Sequence, residues 1–242
     1  MNILLTNDDG YQAPGLRAAF LGLSEFGTVH VVAPKFECSA CSHKITMRRP
    51  ITVERVDMEL YGRVHSVDGT PADCVRIAIA ELLNDSIDLV VSGVNAGANS
   101  GVDVFYSGTI AGAREAAILG LPAIALSQAL RDGIATDWGA VTDIVPHLVS
   151  ELWREPTPGP GFWSVNFPVP IPVDARSRIR RVPIETSPAM MRYERTDHGN
   201  GRVEFRTGGS YWTRDAGSPS DYTVIRDGDI SVAAIPLYGK FT

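Results

Sequence analysis

The sequence has no apolar run of about 18 residues, only three cysteines, and no excess of basic charge. The missing apolar run argues against a membrane span. Residues 1–10 lack the basic segment of a secretory signal peptide, so none is predicted. An odd, sparse set of cysteines does not form a disulfide framework, and we expect a cytoplasmic location. The net charge of −6, from 22 Lys and Arg against 28 Asp and Glu, argues against a nucleic-acid polymer as partner.

Several motifs of common enzyme classes are also missing. There is no G-x-x-x-x-G-K-[ST] loop, no G-x-G-x-x-G after the first predicted strand, and no G-x-S-x-G elbow. These absences argue against P-loop, dinucleotide-binding and α/β-hydrolase chemistry. Cys38 and Cys41 form a C-x-x-C, for which a redox pair or half of a zinc site is one interpretation. Because no second metal-binding pair accompanies them, we favour incidental small residues in a loop.

The hydrophobic pattern alternates between short apolar runs and helical segments. This order predicts an α/β fold, a mostly parallel sheet covered by helices on both faces. Strands are predicted at 3–5, 29–33, 64–67, 87–91 and 123–126, and helices at 14–26, 71–83, 107–119 and 139–153.

The second part of the chain has a different texture. A Pro- and Gly-rich break covers residues 155–161. Short strands are predicted beyond it at 163–166, 178–184, 190–195, 202–206 and 230–235, and most of them are expected as hairpins beside the main sheet. Residues 40–60 predict a further extended segment or hairpin inserted after the second strand. We expect one domain, with an α/β core at 1–127 and about 136–168 and a hairpin-rich extension at about 169–242.

Polar residues follow three of the predicted strands. Asp8 and Asp9 come after the first strand, Ser39 after the second, and Asn95 after the strand at 87–91. In an open parallel sheet such residues meet at one edge, where ligands bind. Two neighbouring carboxylates repel each other, and oxygen ligands without His or Cys suit Mg²⁺, Mn²⁺ or Ca²⁺ rather than Zn²⁺. The alternative for the acidic pair is a polar turn with Asx caps.

A second group of residues predicts an anion site. Ser107, Gly108 and Thr109 open a helix, where free main-chain N–H groups and two hydroxyls form a cradle for an anion. The Gly-containing loop 95–99 allows close approach to a ligand. A simple Ser N-cap is the alternative. A metal site and an anion cradle on one sheet edge are together the arrangement needed to bind and split a phosphate ester.

Six motifs stand in order along the first half of the chain. They are N-I-L-L-T-N-D-D-G at 2–10, V-V-A-P at 31–34 with Ser39, G-T-P-A-D-C-V at 69–75, V-S-G-V-N-A-G at 91–97, Y-S-G-T at 106–109 and G-L-P-A at 120–123. With these motifs the chain resembles the SurE family of metal-dependent nucleoside monophosphate phosphatases, and the resemblance is dense over residues 1–127.

This resemblance implies a Rossmann-like sheet and hydrolysis of nucleoside 5′- and 3′-monophosphates. It implies one divalent ion per subunit and a homodimer or a tetramer. At the predicted metal site, Asp8 and Asp9 are the predicted catalytic residues: either one accepts the proton of the attacking water, and direct attack by a carboxylate is the alternative. A non-catalytic, metal-dependent nucleotide sensor is the alternative function. The family's metal ligands correspond to Asp8, Asp9, Ser39 and Asn95, and its phosphate-binding residues to Asn99, Ser107, Gly108 and Thr109.

Overall fold

The computed structural model describes residues 1–83, 86–188, 192–208, 211–214, 216 and 219–238. Its strands are β1 (Asn2–Thr6), β2 (Thr28–Pro34), β3 (Val53–Met58), β4 (Gly62–Val67), β5 (Leu89–Ala96), β6 (Ala123–Gln128), β7 (Gly161–Phe167), β8 (Ile179–Arg181), β9 (Arg192–Asp197), β10 (Val203–Gly208) and β11 (Ile230–Pro236). Its α-helices are α1 (Pro14–Leu23), α2 (Pro71–Ile77), α3 (Gly108–Ile118), α4 (Trp138–Arg154) and α5 (Asp221–Arg226). Within these ranges, no helix combines the length and the apolar character that crossing a membrane requires.

Nine of the described strands form one sheet in the order β3-β4-β2-β1-β5-β6-β7-β11-β8. The neighbours from β4 to β7 are parallel, whereas β3 is antiparallel to β4 and β11 is antiparallel to β7. The predicted α/β class with a mostly parallel sheet is therefore confirmed. The predicted insertion is also present, because β3 and β4 form a hairpin at the edge of the sheet.

The central strand β1 is buried on both faces. Ile3 and Leu5 pack in one core cluster with residues of α1 and α4, and Leu4 packs in a second cluster with residues of α2 and α3. Successive side chains of a strand point to opposite faces, so a continuous apolar run is what a sheet with helices on both faces requires. The polar residues that follow β1 are thus held at the end of a strand that is buried on both faces.

Two predicted helices differ from the structure at their C-terminal ends. Helix α1 ends at Leu23, three residues before its predicted end, and the Ser24 hydroxyl donates to the Phe20 carbonyl at 2.7 Å. A side chain that bonds to the main chain in this way competes with continuation of the helix. Helix α2 is shorter than the predicted 71–83, since the next residues, Ala78–Leu82, form a π-helical turn.

The strand predicted at 230–235 was expected beside the main sheet, and this prediction is wrong. It forms β11, which lies inside the sheet between β7 and β8, and the strand predicted at 178–184 likewise joins the sheet as β8. A short apolar run does not indicate which strand it will pair with, because tertiary packing selects the partner. By contrast, among the described strands β9 and β10 pair with each other in a separate hairpin. The start of the strand predicted at 190–195 lies outside the described residues, and the division into core and extension stays a prediction.

Gly15 lets α1 pack closely on β5. A Cβ atom at Gly15 would lie 1.9 Å from the Val94 carbonyl oxygen. We expect Gly15→Ala to lower the free energy of unfolding by about 3 kcal/mol, because the helix must move away from the strand. The matched control is Gly139→Ala, also at the second position of a helix, where the nearest atom is the end of the Asp137 side chain at 3.2 Å.

Denaturant unfolding of both variants measures the difference. The control should change the free energy of unfolding by less than about 1 kcal/mol, since alanine is the better helix former. Equal losses in the two variants would contradict the close approach of α1 to β5.

Candidate metal and phosphate site

The C-terminal ends of β2, β1 and β5 lie side by side, and the segments that follow them meet at one edge of the sheet. A cavity of about 260 Å³ opens at this edge. Of the predicted site residues, those that line it are Asp8, Ser39, Asn95, Asn99 and Ser107. The remaining three contact residues that line it: Asp9 accepts from the Ala96 N–H, and Gly108 and Thr109 lie against Asp8.

Asp8 is held in a buried position at the end of β1. Its side chain is 3% exposed, and the Thr109 hydroxyl donates a hydrogen bond to its Oδ1 atom. Burial raises the pKa of Asp8 to about 6; the Thr109 hydrogen bond opposes this rise, and the charge of Asp9 adds to it. A carboxylate in such surroundings is costly to ionise unless a cation is close.

Asp9 joins the ends of β1 and β5. The main-chain N–H of Ala96 donates to Asp9 Oδ2 at 3.0 Å. Burial raises the pKa of Asp9 as well; the Ala96 hydrogen bond opposes the rise, and the charge of Glu37 adds to it. Both carboxylates are thus costly to ionise, and among the described residues no positively charged side chain is a named cause that lowers the pKa of either.

Ser39 and Asn95 bring neutral oxygen atoms to the same cavity. The Ser39 hydroxyl donates to Glu37 Oε1 at 2.6 Å, which leaves its oxygen lone pairs available to a cation. The Asn95 Nδ2 atom donates to the Gly97 carbonyl at 2.8 Å, which leaves its Oδ1 atom as the acceptor. A β-bulge between Ser92 and Asn95 shifts the register against β6 and sets the position of Asn95.

The N-terminus of α3 lies against Asp8. Ser107 is the N-cap, and its hydroxyl oxygen accepts from the Ile110 N–H at 3.1 Å. A Cβ atom at Gly108 would lie 2.9 Å from Asp8 Oδ2 and 3.0 Å from the Cys41 sulfur, so glycine permits this close approach. Both the hydroxyl and the main-chain N–H of Thr109 interact with Asp8, so the phosphate contact of Thr109 stays a prediction.

The donor atoms fit a hard divalent cation. They are carboxylate, hydroxyl and amide oxygens, the ligands that Mg²⁺, Mn²⁺ and Ca²⁺ prefer. Over the described residues, no group of three or more His, Cys, Asp or Glu side chains is placed to hold a metal ion. A metal site here therefore needs Ser39 and Asn95 as ligands in addition to Asp8 and Asp9. The raised pKa values of the two aspartates are the observation that favours a cation between them.

The loop that carries Ser39 is tied down on both sides. The Cys38 N–H donates to the Asp8 carbonyl at 2.8 Å, and the Ser42 N–H donates to the Tyr106 carbonyl at 2.8 Å. Further along, His43 Nε2 lies 2.7 Å from Oε2 of Glu115, a side chain that is 3% exposed. These contacts hold the Ser39 loop against the N-terminus of α3.

The C-x-x-C cysteines lie in this loop as free thiols. The Cys41 N–H donates to the Cys38 carbonyl at 3.3 Å and closes a turn around Ser39. Burial, with the charges of nearby Cys38 and Asp8, raises the pKa of Cys41 to about 11. This shift disfavours the reactive thiolate, in line with the interpretation of the two cysteines as incidental loop residues.

Besides three alanines, the lining residues of the cavity that were not predicted as site residues are Asp103, Tyr106 and Tyr211. Tyr106 stands directly before Ser107, so the Y-S-G-T motif carried a usable signal. Tyr211 lies in a short 3₁₀ helix, Tyr211–Thr213, more than a hundred residues further along the chain. No local pattern indicates that this segment returns to the sheet edge.

Comparisons with known proteins agree with this architecture. The family model described as "Survival protein SurE" matches residues 3–193. The "5'-nucleotidase SurE" of Syntrophobacter fumaroxidans is 41% identical over 237 residues, covering 98% of this chain and 89% of the relative. The "5'-nucleotidase SurE" of Methylococcus capsulatus is 37% identical, covering 98% and 92%. The crystal structure of the SurE protein from Aquifex aeolicus superposes with a TM-score of 0.86 at 30% identity, covering 100% of this chain and 95% of that one.

The mostly parallel sheet with helices on both faces places the protein in the class of doubly wound α/β proteins. The chain belongs to the SurE family. The fold that the sequence motifs implied is therefore confirmed, whereas the roles of the individual site residues stay predictions.

Asp8 should destabilise the protein when no cation is present. Its pKa is about 6 in the folded state and about 3.9 in the unfolded state, so raising the pH through this window favours unfolding. In a chelating buffer at pH 8, we expect Asp8→Asn to be more stable than the natural protein by up to about 3 kcal/mol. Denaturant unfolding at several pH values measures this difference in the free energy of unfolding between Asp8→Asn and the natural protein.

The stability difference between Asp8→Asn and the natural protein should shrink as the pH falls to 4, and also when Mn²⁺ is added at pH 8. The control is Asp143→Asn, which changes an exposed aspartate of α4. A gap that is independent of pH, or a less stable Asp8→Asn variant at pH 8, would contradict the account of Asp8.

Proposed function

We propose that the protein is a metal-dependent phosphatase that hydrolyses nucleoside monophosphates to nucleoside and phosphate. The observation that carries the proposal is the single cavity that Asp8 and Ser107 both line, because it joins an acidic metal site to a helix N-terminus. Relatives that share most of their length with this chain are named 5'-nucleotidase, which supports 5′-nucleotides as the main substrates. We include 3′-nucleotides as further substrates.

Asp8, Asp9, Ser39 and Asn95 would hold the divalent ion. An ion bound there supplies positive charge that offsets the two carboxylates and polarises a phosphate oxygen. We propose one ion per subunit, Mg²⁺, Mn²⁺ or Ca²⁺. Ser39 and Asn95 are neutral ligands. With them the site has only two carboxylates, so it carries less negative charge than a site with further carboxylates and repels the phosphate less.

The other side of the cavity would hold the phosphate. The N-terminus of α3 directs its free N–H groups and positive dipole end at this side, where Ser107, Gly108 and Thr109 lie. Asn99 is buried, and its Nδ2 atom donates to the Ser127 hydroxyl at 2.8 Å, which leaves a second N–H for the ligand. Fixed donors of this kind stabilise the charge that develops on phosphate oxygens in the transition state.

Asp8 and Asp9 are the proposed catalytic residues. Asp8 lies against the N-terminus of α3 and Asp9 against Ala96 of β5, and one of them would accept the proton of the attacking water. The Thr109 hydroxyl fixes one oxygen of Asp8, and the Ala96 N–H fixes one oxygen of Asp9. Each aspartate therefore keeps a second oxygen for the ion or for the proton.

We further propose a homodimer or a tetramer that acts in the cytoplasm. Nucleoside monophosphates are the proposed partners, and no polymer of nucleic acid is expected, given the net charge of −6. The odd set of three free thiols supports the location.

Phosphate release from a panel of 5′- and 3′-nucleotides tests the proposal. With Mg²⁺ or Mn²⁺ present, we expect turnover that a chelator abolishes. Asp8→Ala should reduce turnover at least about 10³-fold, since it removes a ligand of the ion and a candidate base. Asp143→Ala serves as the matched control and should behave as the natural protein.

Circular dichroism establishes that Asp8→Ala is folded. A folded Asp8→Ala variant with near-full activity would contradict the assigned site. A natural protein that binds nucleotides with metal but releases no phosphate would instead indicate a non-catalytic sensor.

A further inference from the structure

A row of polar side chains crosses the sheet beside the cavity. Ser127 of β6 pairs in register with Asn95 of β5 on one side and with Asn166 of β7 on the other, and Asn166 pairs with Ser231 of β11. Ser127, Asn166 and Ser231 are all buried. Buried polar groups are normally hydrogen-bonded, so a partner is expected for each of these side chains.

Asn166 binds the main chain of the loop that follows β5. Its neighbours Val165 and Phe167 pack in the core cluster with α1 and α4, so Asn166 points to the opposite face of the sheet, the face of α3. There the Asn99 N–H donates to Asn166 Oδ1 at 2.7 Å, and Asn166 Nδ2 donates to the Asn99 carbonyl at 3.2 Å. One buried side chain thus satisfies both main-chain groups of a residue that is distant in the sequence.

Asn99 is fixed at its side chain as well. Its Nδ2 atom donates to the Ser127 hydroxyl at 2.8 Å and has a second N–H besides. The Asn99 side chain lines the cavity, whereas Ser127 and Asn166 are not among its lining residues. Because Ser127 and Asn166 belong to regular strands, the sheet sets the direction of the second Asn99 N–H.

The far end of the loop has an anchor of its own. The Gly101 N–H donates to Asp221 Oδ2 at 2.9 Å. Loss of the Asn166 contacts would release Asn99 but leave the loop attached at Gly101. A change at Asn166 is therefore expected to alter the position of Asn99 more than the fold.

We propose that Asn166 is a positioning residue of the phosphate site, which holds Asn99 so that the second Nδ2 N–H of Asn99 is directed at the phosphate. The inference rests on the proposed function and adds a residue of β7 to the groups on which turnover depends. A donor stabilises the charge of the transition state only while it stays in place, and a displacement of about 1 Å can cost about 10²-fold in rate.

The value of kcat/KM on 5′-AMP in Mg²⁺ tests the inference. Asn166→Ala removes both contacts to the Asn99 main chain, and we expect kcat/KM to fall about tenfold because the donor is displaced. Asn99→Ala removes the donor itself and should lower kcat/KM about 10²-fold. In the Asn99→Ala background, Asn166→Ala should change kcat/KM by less than about twofold, because its effect depends on the Asn99 side chain.

Asn166→Asp separates this role from a merely structural one. A neutral carboxyl group can accept one hydrogen bond from Asn99 and donate another to it, whereas an ionised carboxylate lacks the donor and repels the Asn99 carbonyl. Relative to the natural protein at the same pH, we expect kcat/KM to lie within about threefold at pH 5.5 and to be at least about tenfold lower at pH 8.5.

Ser231→Ala is the matched control. Ser231 is buried and pairs in register with Asn166, and among the described residues its hydroxyl has no hydrogen-bond partner. This variant should keep kcat/KM within about twofold of the natural value, since it leaves Asn99 in place. Thermal unfolding establishes that each variant is folded.

An unchanged kcat/KM in folded Asn166→Ala would overturn the inference. Equal losses in the natural and Asn99→Ala backgrounds would also overturn it, since Asn166 would then act by another route. If Asn166→Ala does not fold, the pH profile of Asn166→Asp decides, and a profile parallel to that of the natural protein would overturn the inference. These results leave the proposed function intact, because the natural protein is active in all of them.

A failure of the proposed function gives a different result. If the natural protein hydrolyses no nucleotide, calorimetric binding of inorganic phosphate in Mg²⁺ replaces turnover. Phosphate binding that is weakened by Asn166→Ala, or by Asn166→Asp at pH 8.5, and unchanged by Ser231→Ala would support the positioning role. Equal binding by these variants, or no binding by the natural protein, would overturn it.

Discussion

Two adjacent carboxylates at the buried end of the central strand are the constraint on which the site depends. Asp8 and Asp9 lie where β1 leaves a core that is apolar on both faces, and within the part of the chain that the structure describes no positively charged side chain is a named cause that lowers their pKa values. Like charges in a poorly solvated place raise each other's pKa and oppose folding. A divalent ion bound by both carboxylates, with Ser39 and Asn95 as further ligands, would offset this repulsion.

The rest of the fold places groups around this pair. The bulge in β5 sets Asn95, the turn after Cys38 sets Ser39, and Gly108 lets α3 begin close to Asp8. Each group comes from a different strand end or helix start, so the site exists only once the sheet is assembled. In the proposed function, the positive end of α3 faces the metal site, and the two together would hold the oxygens and the scissile bond of a phosphate ester.

The sequence predicted the parts of the molecule that local physics determines. Buried strands such as β1 are recognisable in the sequence as apolar runs, and Pro14 and Pro71 mark helix starts. The rule that ligands bind at the carboxyl edge of a parallel sheet then selected Asp8, Ser39 and Asn95. Those three side chains do line one cavity.

The sequence did not predict features that depend on distant contacts. The position of β11 within the sheet and the return of Tyr211 to the cavity are set by packing between segments far apart in the chain. Local periodicity does not contain this information. The ion pair between Arg214 and Asp103 is of the same kind, because its partners are more than a hundred residues apart.

Anomalous diffraction from a crystal soaked in Mn²⁺ tests the central claim most directly. The account predicts one strong manganese peak per subunit, with oxygen atoms of Asp8, Asp9, Ser39 and Asn95 within about 2.5 Å of it. A peak elsewhere, or no peak between these side chains in a crystal whose mother liquor contains the ion, would contradict the account.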